Sequence, residues 1–512
     1  MRAKRVGVFL FIFISAALLS LPYHTGSGWP VAFIAFVPLF FTFREKTPSQ
    51  LFKICFLFGL IYHAFLGYWL NYVNVFGFLV LAAYLAVFFG LFGYFCGTFF
   101  FSGKIRATFY VAAIWVLLEY ARGFLFGGFP WALLAYTQWK NLPFIQAADT
   151  VGAHGISFFI LWANVMLYRM ASAGKTGRTF LTLVMVLGTL SGYGLWRLAS
   201  REGFYLSEGP KALIGVSVVQ GNIPQEEKWD AKIKSIIFEK YKRLTLMAAM
   251  EKPDLIVWPE TSFPGYLEDE VMMAAHLRAL VRQSRTHVLV GAPTQGDLEK
   301  GLRFYNSAML FAPNGEELAR YSKVHLVPFG EYVPFEPILG VIRHFVSIGR
   351  FSPGTEQTIF SIVNKNQKIR VAAKFGVLIC YEDIFPGLVR RLCLDGADFL
   401  VNITNDAWFG KSSAPYQHAQ ASVFRAIENR VPVIRSTNTG LSCFISAEGR
   451  VTSSVKKDGQ EIMVSGQQTQ NIVLRKGRPF FTRFGDLFFW LLTALILFAF
   501  KERHKNSGYS RI

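Results

Sequence analysis

The chain has 512 residues, 52% of them hydrophobic, and a mean hydropathy of +0.34. That is too apolar for one soluble globule and too uneven for a protein that is all membrane. The formal net charge is +20, yet no helix-turn-helix, zinc-finger or RNA-binding motif accompanies it. Nucleic acid is therefore not an expected partner, and membrane topology and anionic lipid account for the excess.

The first apolar run, 6–21, follows the basic start Met1-Arg-Ala-Lys-Arg5. A cleaved signal peptide shares that layout, but no small-x-small site closes the run and more apolar segments follow at once. A retained anchor is expected. Further spans are predicted at 30–43, 54–72, 76–101, 108–126, 156–171, 179–196 and 485–500. Several approach the ~20 residues that a bilayer needs, and 30–43 is the short one.

Basic residues occupy alternate loops: Arg44, Lys46 and Lys53, then Lys104 and Arg106, then Arg169, Lys175 and Arg178, and finally Lys501, Arg503 and Lys505. Loops 22–29 and 72–75 carry none, and 127–155 carries only Lys140. The positive-inside rule then predicts eight spans, cytoplasmic termini, and a polar segment on the outer, in a bacterium periplasmic, side. The expected division is a seven-span domain at 1–200, a polar domain at 201–480, and a last span with a basic tail at 481–512. Within the spans, Glu119 and Arg122 are the exceptional charges. They stand i, i+3 and can pair on one helix face, as a functional or a structural pair. A transporter would show more such groups, or broken helices in repeats, and neither is visible.

From Leu213 the texture changes. Strands are predicted at 213–219, 255–258, 287–291, 307–311, 371–379, 399–403 and 431–435, with helices at 231–250, 267–285 and 416–430. The strand segments are almost continuously apolar, as expected for an α/β layered domain whose sheets are covered on both faces.

Three predicted strand ends carry reactive groups. Leu255-Ile-Val-Trp-Pro-Glu-Thr261 delivers Glu260, Tyr321-Ser-Lys-Val-His-Leu-Val-Pro-Phe-Gly-Glu331 offers Lys323 and Glu331, and Lys374-Phe-Gly-Val-Leu-Ile-Cys-Tyr-Glu-Asp383 ends a strand on Cys380. Each has a bland explanation alone: a helix cap, a solvated lysine, a packed thiol. Together they supply a nucleophile, a carboxylate that can take its proton, and an ammonium for an oxyanion, helped by the backbone N–H of Tyr381. The expected chemistry is acyl transfer through a thioester, which needs no cofactor or metal. The five cysteines (Cys55, Cys96, Cys380, Cys393 and Cys443) show no disulfide framework and no metal-ligand spacing.

These residues resemble the Glu-Lys-Cys triad of the nitrilase, or carbon–nitrogen hydrolase, superfamily, which has an αββα sandwich. Within it, the chain is similar to the bacterial apolipoprotein N-acyltransferases. The likeness extends to Gly127-Gly-Phe-Pro-Trp131, to Val219-Gln-Gly-Asn-Ile-Pro-Gln225 with Trp229, and to Asn402-Ile-Thr-Asn-Asp-Ala-Trp-Phe-Gly410. The resemblance implies that a phospholipid acyl chain passes to Cys380 and then to the α-amine of the diacylglyceryl-cysteine of an apolipoprotein. It implies Glu260 as general base, Lys323 as oxyanion group and Cys380 as nucleophile. Glu331, Tyr381, Glu382 and Trp229 match motif positions that shape the family's site. A membrane-embedded monomer is expected.

The apolar stretch 335–351, interrupted by Pro and Gly, reads either as a core element or as a flap that dips into lipid. Phe480, Phe481 and Phe484 are expected to anchor the domain's exit at the headgroups. The rival function is a membrane-anchored amidase acting on small amides through the same triad, although eight spans suggest substrates that reside in the bilayer.

Overall fold

The computed structural model describes residues 2–100, 105–173, 177–200, 213–228, 230–296, 301–334, 336, 340, 349–364, 372–474 and 477–508. Two compact units emerge, one formed by Met1–Arg201 with Pro479–Ile512, the other by Glu202–Arg478.

The first unit is helical. All eight apolar stretches of the sequence take helical form: Arg2–His24, Trp29–Phe41, Pro48–Leu66, Val75–Cys96, Arg106–Arg122, Ala148–Ala173, Gly177–Ala199 and Leu487–Gly508. Among the described residues, five helices are long and apolar enough to cross a membrane: Val6–His24, Pro48–Leu66, Val75–Cys96, Ala148–Ser172 and Gly177–Ala199. The weak 30–43 segment is a 3-10 turn, Trp29–Phe33, followed by a five-residue helix, Val37–Phe41. Pro30 and Pro38 sit in the first turn of each piece, where a missing N–H is tolerated, and each restarts the helix. Pro48–Leu66 starts at a capping box, in which Thr47 and Gln50 satisfy each other's backbone N–H groups.

The many phenylalanines build the interior of this unit. Trp115 takes edge contacts from Phe36, Phe89 and Phe92 at ring-centroid distances of 5.2, 5.1 and 5.2 Å. Glu119 and Arg122 do not form an ion pair with each other. Glu119 Oε1 accepts the Leu134 N–H at 2.7 Å, and Arg122 Nη2 donates to the Trp131 carbonyl at 3.1 Å. Both side chains hold the loop after their helix, because buried backbone groups there have no helical partner of their own. Phe480 and Phe484 are exposed, whereas Phe481 is buried and packs where a Cβ on Gly152 would collide with its ring. Phe481 is thus a packing residue rather than a headgroup anchor.

The second unit holds two six-stranded sheets. Its strands are β1 (Leu213–Gln220), β2 (Leu255–Val257), β3 (His287–Gln295), β4 (Phe304–Phe311), β5 (Glu317–Ser322), β6 (Ile359–Val363), β7 (Ala372–Ile379), β8 (Phe399–Thr404), β9 (Val433–Thr437), β10 (Cys443–Ile445), β11 (Val451–Ser454) and β12 (Gly466–Val473). One sheet runs β12-β1-β2-β3-β4-β5 and the other β11-β10-β9-β8-β7-β6. The centres, β1-β2-β3 and β7-β8-β9, are parallel, and the edges are antiparallel.

Strand pleat sorts the side chains. Val216, Val218, Leu255, Val257, Leu289 and Leu310 face the other sheet and pack with Phe375, Val377, Phe399 and Val401. Their neighbours Val219, Ile256, Trp258, Val288, Val290 and Met309 face outward, against Phe238, Tyr241 and Leu277 of helices Lys234–Met250 and Val271–Ser284. Each fully buried apolar side chain is worth about 1.5–3 kcal/mol relative to exposure. On the second sheet, Gly376 of β7 lies under Leu392 of helix Pro386–Leu394. The result is an αββα sandwich, with its parallel-strand C-termini at one edge.

Candidate active site

Glu260, Lys323 and Cys380 follow the C-terminal ends of β2, β5 and β7, and the fold brings them together. Pro259 ends β2, since it cannot donate to the ladder. Gly291 of β3 then lets the chain pass close over it: a Cβ there would lie 2.2 Å from the Pro259 carbonyl. The Ser262 and Phe263 N–H groups both donate to the Gly291 carbonyl, at 2.8 and 3.1 Å, and lock the Glu260 turn in place.

Lys323 Nζ lies 2.8 Å from Glu331 Oε2 and 3.8 Å from Glu260 Oε1. All three side chains are buried or nearly so. Asn306 of β4 bridges the two carboxylates, donating from Nδ2 to Glu260 Oε1 at 2.7 Å and to Glu331 Oε1 at 3.0 Å. Glu331 Oε2 also accepts the Val327 N–H at 2.8 Å. Burial opposes the charge on Lys323, but Glu331 and Glu260 more than offset it, so its ammonium is held above its ordinary range.

Cys380 is the residue at which β7 turns into the 3-10 turn Cys380–Ile384. Its φ of 54° is left-handed, an uncommon state for a residue with a Cβ. Such strain costs on the order of 1–3 kcal/mol and persists only where the surroundings enforce it. Asn402 of β8 enforces it by donating from Nδ2 to the Cys380 carbonyl at 3.0 Å. Burial and the Glu260 carboxylate push the thiol well up, with Lys323 opposing. At rest it is therefore a neutral thiol that needs a base beside it.

Glu382 clamps two of these elements together. Its Oε1 accepts the Tyr321 hydroxyl at 2.8 Å and the Val324 and His325 N–H groups at 2.9 and 3.0 Å, while Oε2 accepts the Ile379 N–H at 2.8 Å. The segment carrying Lys323 is thereby tied to the strand carrying Cys380. Burial raises this carboxyl to about 6 despite those donors. The Tyr381 ring packs on Phe385 at 5.1 Å and near His325 at 6.1 Å. Trp229 lies outside the described residues, as do most of 335–351.

Behind the turn is a buried charge cluster that the sequence did not reveal. Asp383 accepts from His418 Nε2 at 3.0 Å, Ser422 Oγ at 2.5 Å and Arg435 Nη1 at 2.6 Å, and Asp406 Oδ1 lies 3.0 Å from His418 Nδ1. Burial alone would lower His418, but Asp383 outweighs it and the imidazole rises to about 9 from an ordinary 6.5. Its stabilisation is thus fully present below pH 6.5 and is lost as pH rises through about 9. The melting temperature of wild type minus that of His418→Gln is expected to be largest below pH 6.5 and to shrink toward pH 9. A difference that does not move with pH contradicts this. The remaining domain cysteines, Cys393 and Cys443, are buried packing residues. Their single Ala variants are expected to lose about 1–2 kcal/mol of stability and no activity, as thermal melts and turnover assays can read.

Two of these contributors escaped sequence reading. Asn306 sits in Phe304-Tyr-Asn-Ser-Ala308, and a polar amide entering an apolar strand is the one signal it offered. His418 lies on helix Ala414–Asn429, which is buried along nearly its whole length, so no polar face marks it.

Comparison with known proteins matches residues 215–472 to the carbon–nitrogen hydrolase family and residues 15–166 to the apolipoprotein N-acyltransferase N-terminal domain. The chain is 38% identical to an apolipoprotein N-acyltransferase of Geobacter metallireducens, covering 95% of this chain and 93% of that one. It is 32% identical to that of Haemophilus influenzae, covering 96% and 93%. A solved amidase of the nitrilase superfamily from Nesterenkonia aligns with a TM-score of 0.39 and 17% identity, over 54% of this chain and 96% of that one. With helices of span length in one unit, an αββα sandwich in the other and relatives matched over most of their length, the chain belongs to the apolipoprotein N-acyltransferase family of membrane-embedded acyltransferases.

Proposed function

We propose that this chain moves an acyl group from a membrane phospholipid to the α-amine of the diacylglyceryl-cysteine at the start of an apolipoprotein, through a thioester on Cys380. The observation that carries the reading is the convergence of Glu260, Glu331 and Lys323 within ion-pair distance, electrostatically coupled to the strained Cys380.

In the first half-reaction Glu260 takes the Cys380 proton as sulfur attacks the ester carbonyl carbon. Lys323 stabilises the resulting oxyanion, helped by the Tyr381 N–H. The carbon–oxygen bond to glycerol then breaks, and Glu260 returns the proton to the leaving alkoxide, giving lysophospholipid. In the second half the acceptor amine attacks the thioester and gives its proton to Glu260. The carbon–sulfur bond breaks, and the thiolate regains the proton. Glu331 fixes Lys323, Glu382 joins the two segments, and Tyr381 shapes the site; Trp229 is assigned to it by its motif position. No cofactor or metal enters these steps.

The reading assigns residues 1–200 and 481–512 to the membrane and 201–480 to catalysis, in a monomer. Alternating Lys and Arg loops support a bacterial inner-membrane location with the catalytic unit periplasmic and both termini cytoplasmic. The test is intact-protein mass spectrometry after incubation with a defined phospholipid. The expected result is one acyl adduct on Cys380, discharged by a lipopeptide amine and not by water. Hydrolysis of a small soluble amide without lipid would instead favour an amidase.

A further inference from the structure

Lys228, in the segment after β1, is a buried cation that the steps above do not use. Its side chain is 4% exposed, and Nζ donates to the Glu260 main-chain carbonyl at 3.0 Å. Among the described residues that carbonyl is its one hydrogen-bond partner, and no carboxylate pairs with it. An ammonium has three donors, so most of its hydrogen-bonding capacity is left over. The Glu260 carboxylate supports this ammonium only from a distance and also faces Lys323, so the buried charge is costly unless something else nearby becomes negative.

The charge count around the sulfur shows what that is. Glu260 and Glu331 bring two negative charges, and Lys323, which both carboxylates face, brings one positive. The other carboxylates in the vicinity are answered elsewhere, Glu382 by the Tyr321 hydroxyl and three backbone N–H groups, Asp406 by His418 and Arg435. Without Lys228 the reacting groups sum to minus one, and moving the Cys380 proton to Glu260 builds a thiolate inside a negative pocket. With Lys228 the sum is zero before and after that transfer.

Resting on the Glu260–Lys323–Cys380 reading, we propose that Lys228 is the second cation of the reacting centre, a positioning residue that holds the Glu260 turn through its carbonyl and balances the charge of the Cys380 thiolate. Burial pushes its ammonium down to about 8, with Glu260 and Cys380 acting the other way. It is thus still mostly charged at neutral pH, and it gains most when the sulfur ionises.

The test follows alkylation of Cys380 by iodoacetamide against pH in the full-length protein in detergent, read by peptide mass spectrometry, together with single-turnover acyl-adduct formation from a defined phospholipid. The charged groups facing Cys380 are Glu260, Lys323, Asp406 and Lys228. Lys228→Met and Lys228→Gln are expected to move the alkylation midpoint up by about one pH unit and to slow adduct formation about tenfold or more, with the KM for phospholipid unchanged. Lys228→Arg keeps the charge and is expected to keep the wild-type midpoint. Gln can still donate to the Glu260 carbonyl, so a wild-type profile in Lys228→Gln, or equal shifts in the Gln and Arg variants, overturns the proposal even if Lys228→Met does not fold. Absence of a Cys380 adduct in the wild type would instead remove the triad reading itself.

Discussion

Cys380→Ala is expected to form no acyl adduct from phospholipid and to show no transferase activity, while melting within about 1 kcal/mol of the wild type. Both halves of that result follow from position. The sulfur is the only group of this side chain that reacts, and no other cysteine can replace it. Cys55, Cys96, Cys393 and Cys443 are all buried, whereas Cys380 is partly exposed at the strand end and is the cysteine that faces Glu260 and Lys323. The left-handed backbone at this residue is imposed by its surroundings, including the Asn402 contact to its carbonyl, and Ala bears the same Cβ. The fold therefore loses one sulfur and no hydrogen bond that holds the turn. Intact-protein mass spectrometry with a lipopeptide acceptor assay checks this. Wild-type turnover in the Ala variant would remove thioester catalysis as the mechanism.

Glu260→Gln should keep the site's shape and lose its proton transfer. Gln at this position still accepts from Asn306 Nδ2, as Glu260 does at 2.7 Å, and Lys323 retains Glu331 at 2.8 Å. What disappears is a group able to take the Cys380 proton, and that thiol is held well above its ordinary value. A loss of roughly 10²-fold or more in the rate of adduct formation is the expected scale for a general base. Single-turnover kinetics with saturating phospholipid reads it. Raising the pH should recover part of the lost rate, because hydroxide ionises the thiol without the base. A near-wild-type rate at neutral pH would contradict the assignment.

The sequence exposed the central strands better than the outer ones. β1, β2, β3, β7, β8 and β9 each contain a short cluster of buried Val, Ile or Leu, because parallel strands are covered on both faces. β5, β6, β10, β11 and β12 were not legible. Gly466-Gln-Gln-Thr-Gln-Asn-Ile-Val473 is mostly polar and half-buried, and it is a strand because β1 offers it a full antiparallel register. Such edge strands are chosen by their neighbour and not by their own pattern. The 30–43 segment, the short one of the predicted spans, is helical but is cut by two prolines into a 3-10 turn and a five-residue helix.

Composition and spacing by themselves determined that this protein has a helical membrane part and an α/β part. They also marked Glu260 and Cys380, because reactive side chains just after apolar strands leave a local trace in the chain; Lys323, behind the mixed strand β5, was marked by the motif around it. Only the tertiary structure decided who answers whom: Glu331 rather than Glu260 as the nearer partner of Lys323, Asn306 between the two carboxylates, and His418 and Arg435 behind Asp383. It also gave Glu119 and Arg122 hydrogen bonds to the backbone of the following loop, which their i, i+3 spacing does not show. Buried charges are placed by partners far away along the chain, so their pairing is a property of the folded sheet edges and has no signature in local sequence.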